Sequence, residues 1–220
     1  MEFSITLIII IATCIVSFIA FSNHKLLDQF IFYPPAVRRG EWYRFFSCGL
    51  IHADWGHLIF NMIALYFFGE AVEFKFVEAF GALGRLIYLG MYVLALAASV
   101  IPTYINNKDN YHYRSLGASG GVSAVIFAGI LFFPLAGIGL FFIPIRIAGF
   151  LFGILYLFVS GWLDKRGGGN INHSAHIFGA LFGVGFTIIA CLAFSDYPVL
   201  ANFMDQVKSM SASDFIKIGN

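Results

Sequence analysis

Charge is scarce in this sequence. Only 11% of its 220 residues are Asp, Glu, Lys or Arg, less than half of the ~25% typical of soluble domains. The 13 basic and 12 acidic residues nearly cancel to a net charge of +1, so no basic face exists to neutralise nucleic-acid phosphates. Cysteine is scarce too. Cys14, Cys48 and Cys191 are too few and too scattered for a disulfide framework, and they match no zinc spacing. Intrinsic disorder is excluded from the other direction, because 60% of the chain is hydrophobic and 18% is aromatic. What remains is a polytopic membrane protein, short enough to be one membrane domain.

A spanning helix needs ~20 mostly apolar residues. Uncharged windows occur at 3–22, 55–69 (continuing past Glu70 to Val72), 86–106 and 115–145. The last is broken by Pro134, Gly137, Gly139 and Pro144, which predicts a helix ending near Phe133 followed by a hairpin. Further spans are expected at 147–162 and 174–194. The expected fold is therefore an all-α membrane protein with six transmembrane helices over 1–195 and a short polar C-terminal tail over 196–220. An even number of spans puts both ends of the domain on one side. The first window has no basic n-region or cleavage site, so it reads as a retained anchor. The connection at 23–54 carries Phe30, Phe32, Tyr33, Trp42 and Tyr43, which suit an interface. Gly167-Gly168-Gly169 is expected to be mobile.

Polar groups within spans are functional candidates, and three clusters stand out. Gly117-Ala118-Ser119-Gly120-Gly121 opens the fourth span. Alone, it reads as a small-residue packing turn with Ser119 as a helix cap. It also fits G-x-S-x-G, although no strand-turn-helix elbow is expected here. His173-Ser174-Ala175-His176 opens the sixth span. His176, Gly179 and Gly183 share a helix face that a neighbouring helix can approach closely. The alternatives are an interfacial histidine or a metal site, although two histidines lack the further ligands a closed metal site needs. The third cluster holds His52, His57 and Asn61, with His57 and Asn61 on one face; it reads equally as interhelical polar glue. All three clusters lie at the entry ends of the second, fourth and sixth spans, which start from the same side. A serine needs a base to become a useful nucleophile, and an oxyanion needs preorganised donors. Each is present at one membrane level.

In order and spacing, these residues resemble the rhomboid intramembrane serine proteases. The resemblance runs from Trp42 to Gly185 through Tyr43-Arg44, the His52/His57/Asn61 run, Gly69 and Glu73, Gly117-Ala118-Ser119-Gly120, and Ala175-His176 with Gly179 and Gly183. It implies a Ser-His dyad with no acid. Ser119 would be the nucleophile and His176 the general base, and His57, Asn61 and the Ser119 backbone N–H would form the oxyanion site. Supporting positions would be His52, Arg44, Gly117, Gly120, Gly179 and Gly183. No metal or cofactor is implied. The family further implies a bilayer-embedded, water-filled cavity open to the extracytoplasmic side, a gate at the fifth helix and the following loop, and single-pass transmembrane protein substrates. A bacterial plasma membrane suits such a cavity.

Two features depart from the family pattern. Members often carry an aromatic residue four positions after the nucleophile, stacked on the histidine; here that residue is Ser123. In addition, the family topology puts Lys25, Arg38, Arg39, Arg44, Lys108, Arg114, Lys165 and Arg166 outside, and only Lys75, Arg85, Arg146, Lys208 and Lys217 inside. That opposes the positive-inside bias. Two other functions compete: a non-catalytic client-binding relative, which would usually have lost the serine or the histidine, and a small transporter, for which Glu70 is the only in-span charge and no matched half-repeats are visible.

Overall fold

A computed structural model of the chain describes residues 4–139, 145–166 and 172–218. Helix α1 (Ile5–Ser22) starts at Ser4, whose hydroxyl accepts from the Leu7 N–H. Three short helices follow: α2 (His24–Phe30), α3 (Pro34–Arg38) and α4 (Arg44–Ser47), the last continued by a 3-10 turn at Cys48–Leu50. Asp54 caps α5 (Trp55–Phe80) by accepting from the His57 N–H. Gly81, at φ +57°, closes α5 and turns the chain through one 3-10 turn into α6 (Gly84–Asn107). Helix α7 (Ser119–Phe132), α8 (Gly149–Arg166) and α9 (His173–Phe194) complete the main helices, with α10 (Val199–Lys208) and α11 (Ala212–Phe215) in the tail.

Helix α5 outruns the sequence expectation, which stopped at Val72, because its charged inner end finds partners. The Glu73 carboxylate accepts from the Ile5 and Thr6 amides and the Thr6 hydroxyl, each at 2.9 Å, and pairs with Arg85 at 3.3 Å. It thereby satisfies the free N–H groups that open α1. Lys75 pairs with Glu78 at 2.8 Å.

The chain is mostly helical, and the hairpin expected after Phe133 belongs to one small sheet. Strands β1 (Gly137–Gly139), β2 (Ile145–Ala148) and β3 (Ile216–Ile218) form an antiparallel sheet in the order β1-β2-β3. The hairpin falls where Pro134 and the glycines end helix α7. The tail then adds a strand in register Arg146↔Lys217. The tail is also tied to the bundle by Gln206, which donates to the Phe132 carbonyl at 3.3 Å. Pro144 and Gly167-Gly168-Gly169 lie outside the described residues.

An apolar core around Leu65, Val72, Phe76 and Met91 takes in several small polar residues, while many large apolar side chains face outward. The buried residues of α1 are Thr6, Ile9, Thr13, Ser17 and Ala20, while Ile8, Ile11, Ile15 and Phe18 face outward. Ser99, Thr103 and Thr187 are likewise buried, while Phe60, Phe67, Phe158 and Leu192 are exposed. Small polar residues inside and large apolar ones outside suit a lipid surround. Ile5–Ser22, 55–107 and His173–Phe194 are long and apolar enough to cross a membrane. Helix α7 stands apart. It has 14 residues, of which all but Ser119 and Ile126 are buried, so it is the central helix around which the others pack. At ~1.5 Å per residue it is only ~21 Å long, short of a ~30 Å hydrocarbon core.

Candidate active site

The approach to Ser119 is held from several sides. Residues Phe32 and Ser115 exchange backbone hydrogen bonds of 2.9 and 3.1 Å, and the Gly117 N–H donates to the Cys48 carbonyl at 2.9 Å. Gly117 has φ +117°, which favours glycine, and a Cβ there would stand 2.6 Å from the His57 ring. His52, fully buried, accepts from the Ala118 N–H at Nε2 (3.3 Å) and lies 2.9 Å from the Ser17 hydroxyl at Nδ1. The Ser17 hydroxyl donates to the Leu50 carbonyl at 2.9 Å. This chain of bonds requires a neutral imidazole protonated at Nδ1, and burial pushes the His52 pKa down to about 3. The residues before Ser119 are thus fixed to both α1 and the first connection.

Ser119 is the first residue of α7, with Ala118 as the N-cap, so the cap reading of Ser119 does not describe its position. Its hydroxyl lies 2.9 Å from His176 Nε2. Asn172 caps α9 by accepting from the Ala175 N–H at 3.0 Å, and its amide reaches Thr103 on α6 at 3.1 Å and Ser115 at 3.4 Å. This sets the height at which α9 begins and puts His176 beside Ser119. Gly179 and Gly183 let the helices meet: a Cβ at either would overlap the α7 backbone, at the Gly120 and Ala124 carbonyls. A Cβ at Gly120 would in turn strike Ser99 of α6.

These groups open on one cavity of about 1160 Å³, lined by His57, Asn61, Gly117, Ser119, Gly120 and His176 among others. Asn61 donates one amide hydrogen to the His57 carbonyl at 2.9 Å, and its second N–H remains for the cavity. As the first residues of α7, Ser119 and Gly120 carry N–H groups with no intrahelical acceptor. A hydroxyl on an imidazole, with donors around it and room for a peptide, can perform acyl transfer. Among the described residues no three His, Cys, Asp or Glu side chains converge as metal ligands would.

The structure brings Ser119, His176, His57, Asn61, Gly117 and Gly120 to the cavity, and it places His52, Arg44, Gly179 and Gly183 behind it. Arg44 braces the first connection. It pairs with Glu41 at 2.6 Å and donates to the Asp28 and Ile31 carbonyls at 2.7 and 2.8 Å. The hydrogen bonds and the nearby guanidinium hold the Glu41 carboxyl below its usual pKa. His173 meets the His176 ring edge-on at 5.7 Å. His24 and His112 are exposed. Sequence reasoning missed Ser99, Asn172 and Tyr156, which also line the cavity. Asn172 was findable as an N-cap residue opening an apolar run; Tyr156, one aromatic in an apolar helix, gave no such signal.

Residues 39–193 match the family model described as Rhomboid domain. The chain is 31% identical over 169 residues to RHOMBOID-like protein 12, mitochondrial, of Arabidopsis thaliana, covering 73% of this chain and 50% of that protein. It is 26% identical over 194 residues to YdcA, a rhomboid protein of Bacillus subtilis, covering 81% and 84%. It is also 26% identical over 198 residues to the rhomboid protease GlpG of an Enterobacter species, covering 86% and 62%. The chain thus spans about half the length of the plant relative.

Proposed function

This chain belongs to the rhomboid family, and on that premise we propose that it is an intramembrane serine endopeptidase that cuts single-pass transmembrane proteins within or near their membrane segment. The observation that carries this reading is the 2.9 Å approach of Ser119 Oγ to His176 Nε2 at the start of the short central helix. Helices α1, α5, α6, α7, α8 and α9 form the six-helix membrane bundle. Ser119, His57 and His176 lie at the end of the cavity where α5, α7 and α9 start. We place that side as extracytoplasmic, in a bacterial plasma membrane; the match to YdcA of Bacillus subtilis over 84% of its length favours the bacterial setting.

In this mechanism Ser119 Oγ attacks the scissile carbonyl carbon as its proton passes to His176 Nε2. The C–O bond forms, and the carbonyl π pair moves to oxygen. The resulting oxyanion is met by the Ser119 N–H, the free N–H of Asn61 and the His57 imidazole. The imidazolium then protonates the departing amine as the C–N bond breaks, leaving an acyl-enzyme on Ser119. Water, deprotonated by His176, attacks the ester carbonyl, and the returning proton frees Ser119. The role of an acid in orienting the base falls instead to packing around His176. A substrate helix has to unwind to present its carbonyl, which favours helix-breaking residues near the cut.

A fluorophosphonate probe tests this directly. Purified wild type should label at Ser119, and Ser119→Ala and His176→Ala should not. Equal labelling of wild type and Ser119→Ala would refute the assignment of the nucleophile.

A further inference from the structure

Ser119 and Ser123 are one helical turn apart on the same face of α7. The first hydroxyl engages His176; the second lies 2.8 Å from the Tyr156 hydroxyl of α8. The Tyr156 ring in turn lies nearly parallel to the His176 ring, with an interplanar angle of 21° and centroids 6.2 Å apart, within the range of a stacked pair. Phe127 and Phe152 pack on Tyr156 at 5.6 and 5.9 Å. Among the described residues, the only hydrogen bond of the His176 side chain is to Ser119. One hydrogen bond leaves an imidazole free to swing about it, so the stacked ring supplies the second constraint.

We propose that Tyr156 is the positioning residue of the general base: its ring fixes the His176 plane, and Ser123 fixes the ring. The inference rests on the reading of Ser119 and His176 as the dyad. The buried residues of α8 are only Gly149, Gly153 and Ser160, while Ile154, Leu155, Phe158 and Trp162 face outward. Helix α8 is therefore lightly seated, and Tyr156 is where it reaches the dyad. Through Tyr156 the seating of α8 on the bundle bears on the plane of the His176 ring.

The test compares Tyr156→Leu, Tyr156→Phe and Ser123→Ala with wild type in liposomes. The readouts are kcat and KM on a fluorogenic transmembrane peptide, the fluorophosphonate labelling rate, and thermal unfolding. Tyr156→Leu should lower kcat and labelling together by about 10- to 100-fold with KM within about twofold. Tyr156→Phe and Ser123→Ala each keep the ring and break the same 2.8 Å hydrogen bond, so both should fall by a similar, smaller factor of about threefold. Should Tyr156→Leu fail to fold, the comparison of Tyr156→Phe with Ser123→Ala decides: both fully active overturns the tether. Three results overturn the proposal: Tyr156→Leu with wild-type kcat; Tyr156→Phe as damaged as Tyr156→Leu, which assigns the effect to the hydroxyl; or a raised KM with unchanged labelling, which makes Tyr156 a substrate contact. Wild type that neither cleaves nor labels would refute the dyad itself, whereas labelled wild type with unaffected variants refutes only the role of Tyr156.

Discussion

Adding one methyl group at Gly179 should disable the dyad without touching it. The Cβ of Gly179→Ala would stand 2.9 Å from the carbonyl carbon of Gly120 and 3.0 Å from its Cα. Non-bonded carbons rest at ~3.5–4.0 Å, so α9 has to retreat from α7 by about 0.5–1 Å. Backbone cannot rotate away as a side chain can. His176 sits one turn earlier on the same face of α9 and moves with it, carrying the 2.9 Å contact with Ser119 to about 3.4–3.9 Å, beyond the ~3.2 Å reach of an N/O hydrogen bond. A misplacement of ~1 Å can cost ~10² in rate, so kcat should fall about 10- to 100-fold. Overpacking should also cost ~1–3 kcal/mol of stability, which a thermal melt of the same sample reports. Gly185→Ala is the control, since its Cβ meets nothing within 4 Å; kcat should be unchanged. The assay is turnover of a fluorogenic transmembrane peptide in liposomes at saturating mole fraction. Gly179→Ala with kcat within twofold of wild type, or an equal loss in Gly185→Ala, would show that the close approach of α9 to α7 does not set the dyad.

Asn61→Ala and His57→Ala should each lower kcat by ~10²–10³ with little change in KM, the size expected for an oxyanion donor; unchanged turnover in either removes that residue from the oxyanion site. Glu73→Ala strips the acceptor from the Ile5 and Thr6 amides, while Arg85 keeps access to solvent; it should destabilise the fold by ~1–3 kcal/mol, read as a lowered melting temperature, and a wild-type melt would contradict the network. For His52, the folded pKa of about 3 lies below the ordinary 6.5. The unfolded chain therefore binds a proton that the folded chain refuses. The stability this group contributes is present above pH ~6.5 and is lost as pH falls towards the folded value, by up to ~1.4 kcal/mol per pH unit. Thermal melts of wild type should drop between about pH 6.5 and 4.5, and His52→Gln should flatten that slope; parallel slopes would contradict it.

Much of this was legible in the sequence because a membrane writes long uncharged runs. Helices α1, α6 and α9 match their windows closely, and the break at Pro134 fell where α7 ends. The candidate residues at 57, 61, 119 and 176 share one cavity because each sits near the start of a helix entering from the same side, a relation that spacing alone conveys. What stayed hidden depends on tertiary partners. The charges at Glu73 and Lys75 looked like the end of a span, yet the bundle satisfies them and α5 continues to Phe80. Ile216 and Lys217 looked like polar tail, yet β2 offers them an edge. Tyr156 was invisible because its meaning comes from Ser123 on α7 and His176 on α9, neither of which is near it in sequence.

Cleavage of a labelled single-pass substrate by purified protein in liposomes, run side by side with wild type and Ser119→Ala, bears most directly on whether this chain is a serine protease of the membrane. Wild type should cut within or near the membrane segment, and Ser119→Ala should be slower by on the order of 10⁴ or more. Equal cutting by both proteins would contradict Ser119 as the nucleophile and, with it, the mechanism built on the Ser119–His176 pair.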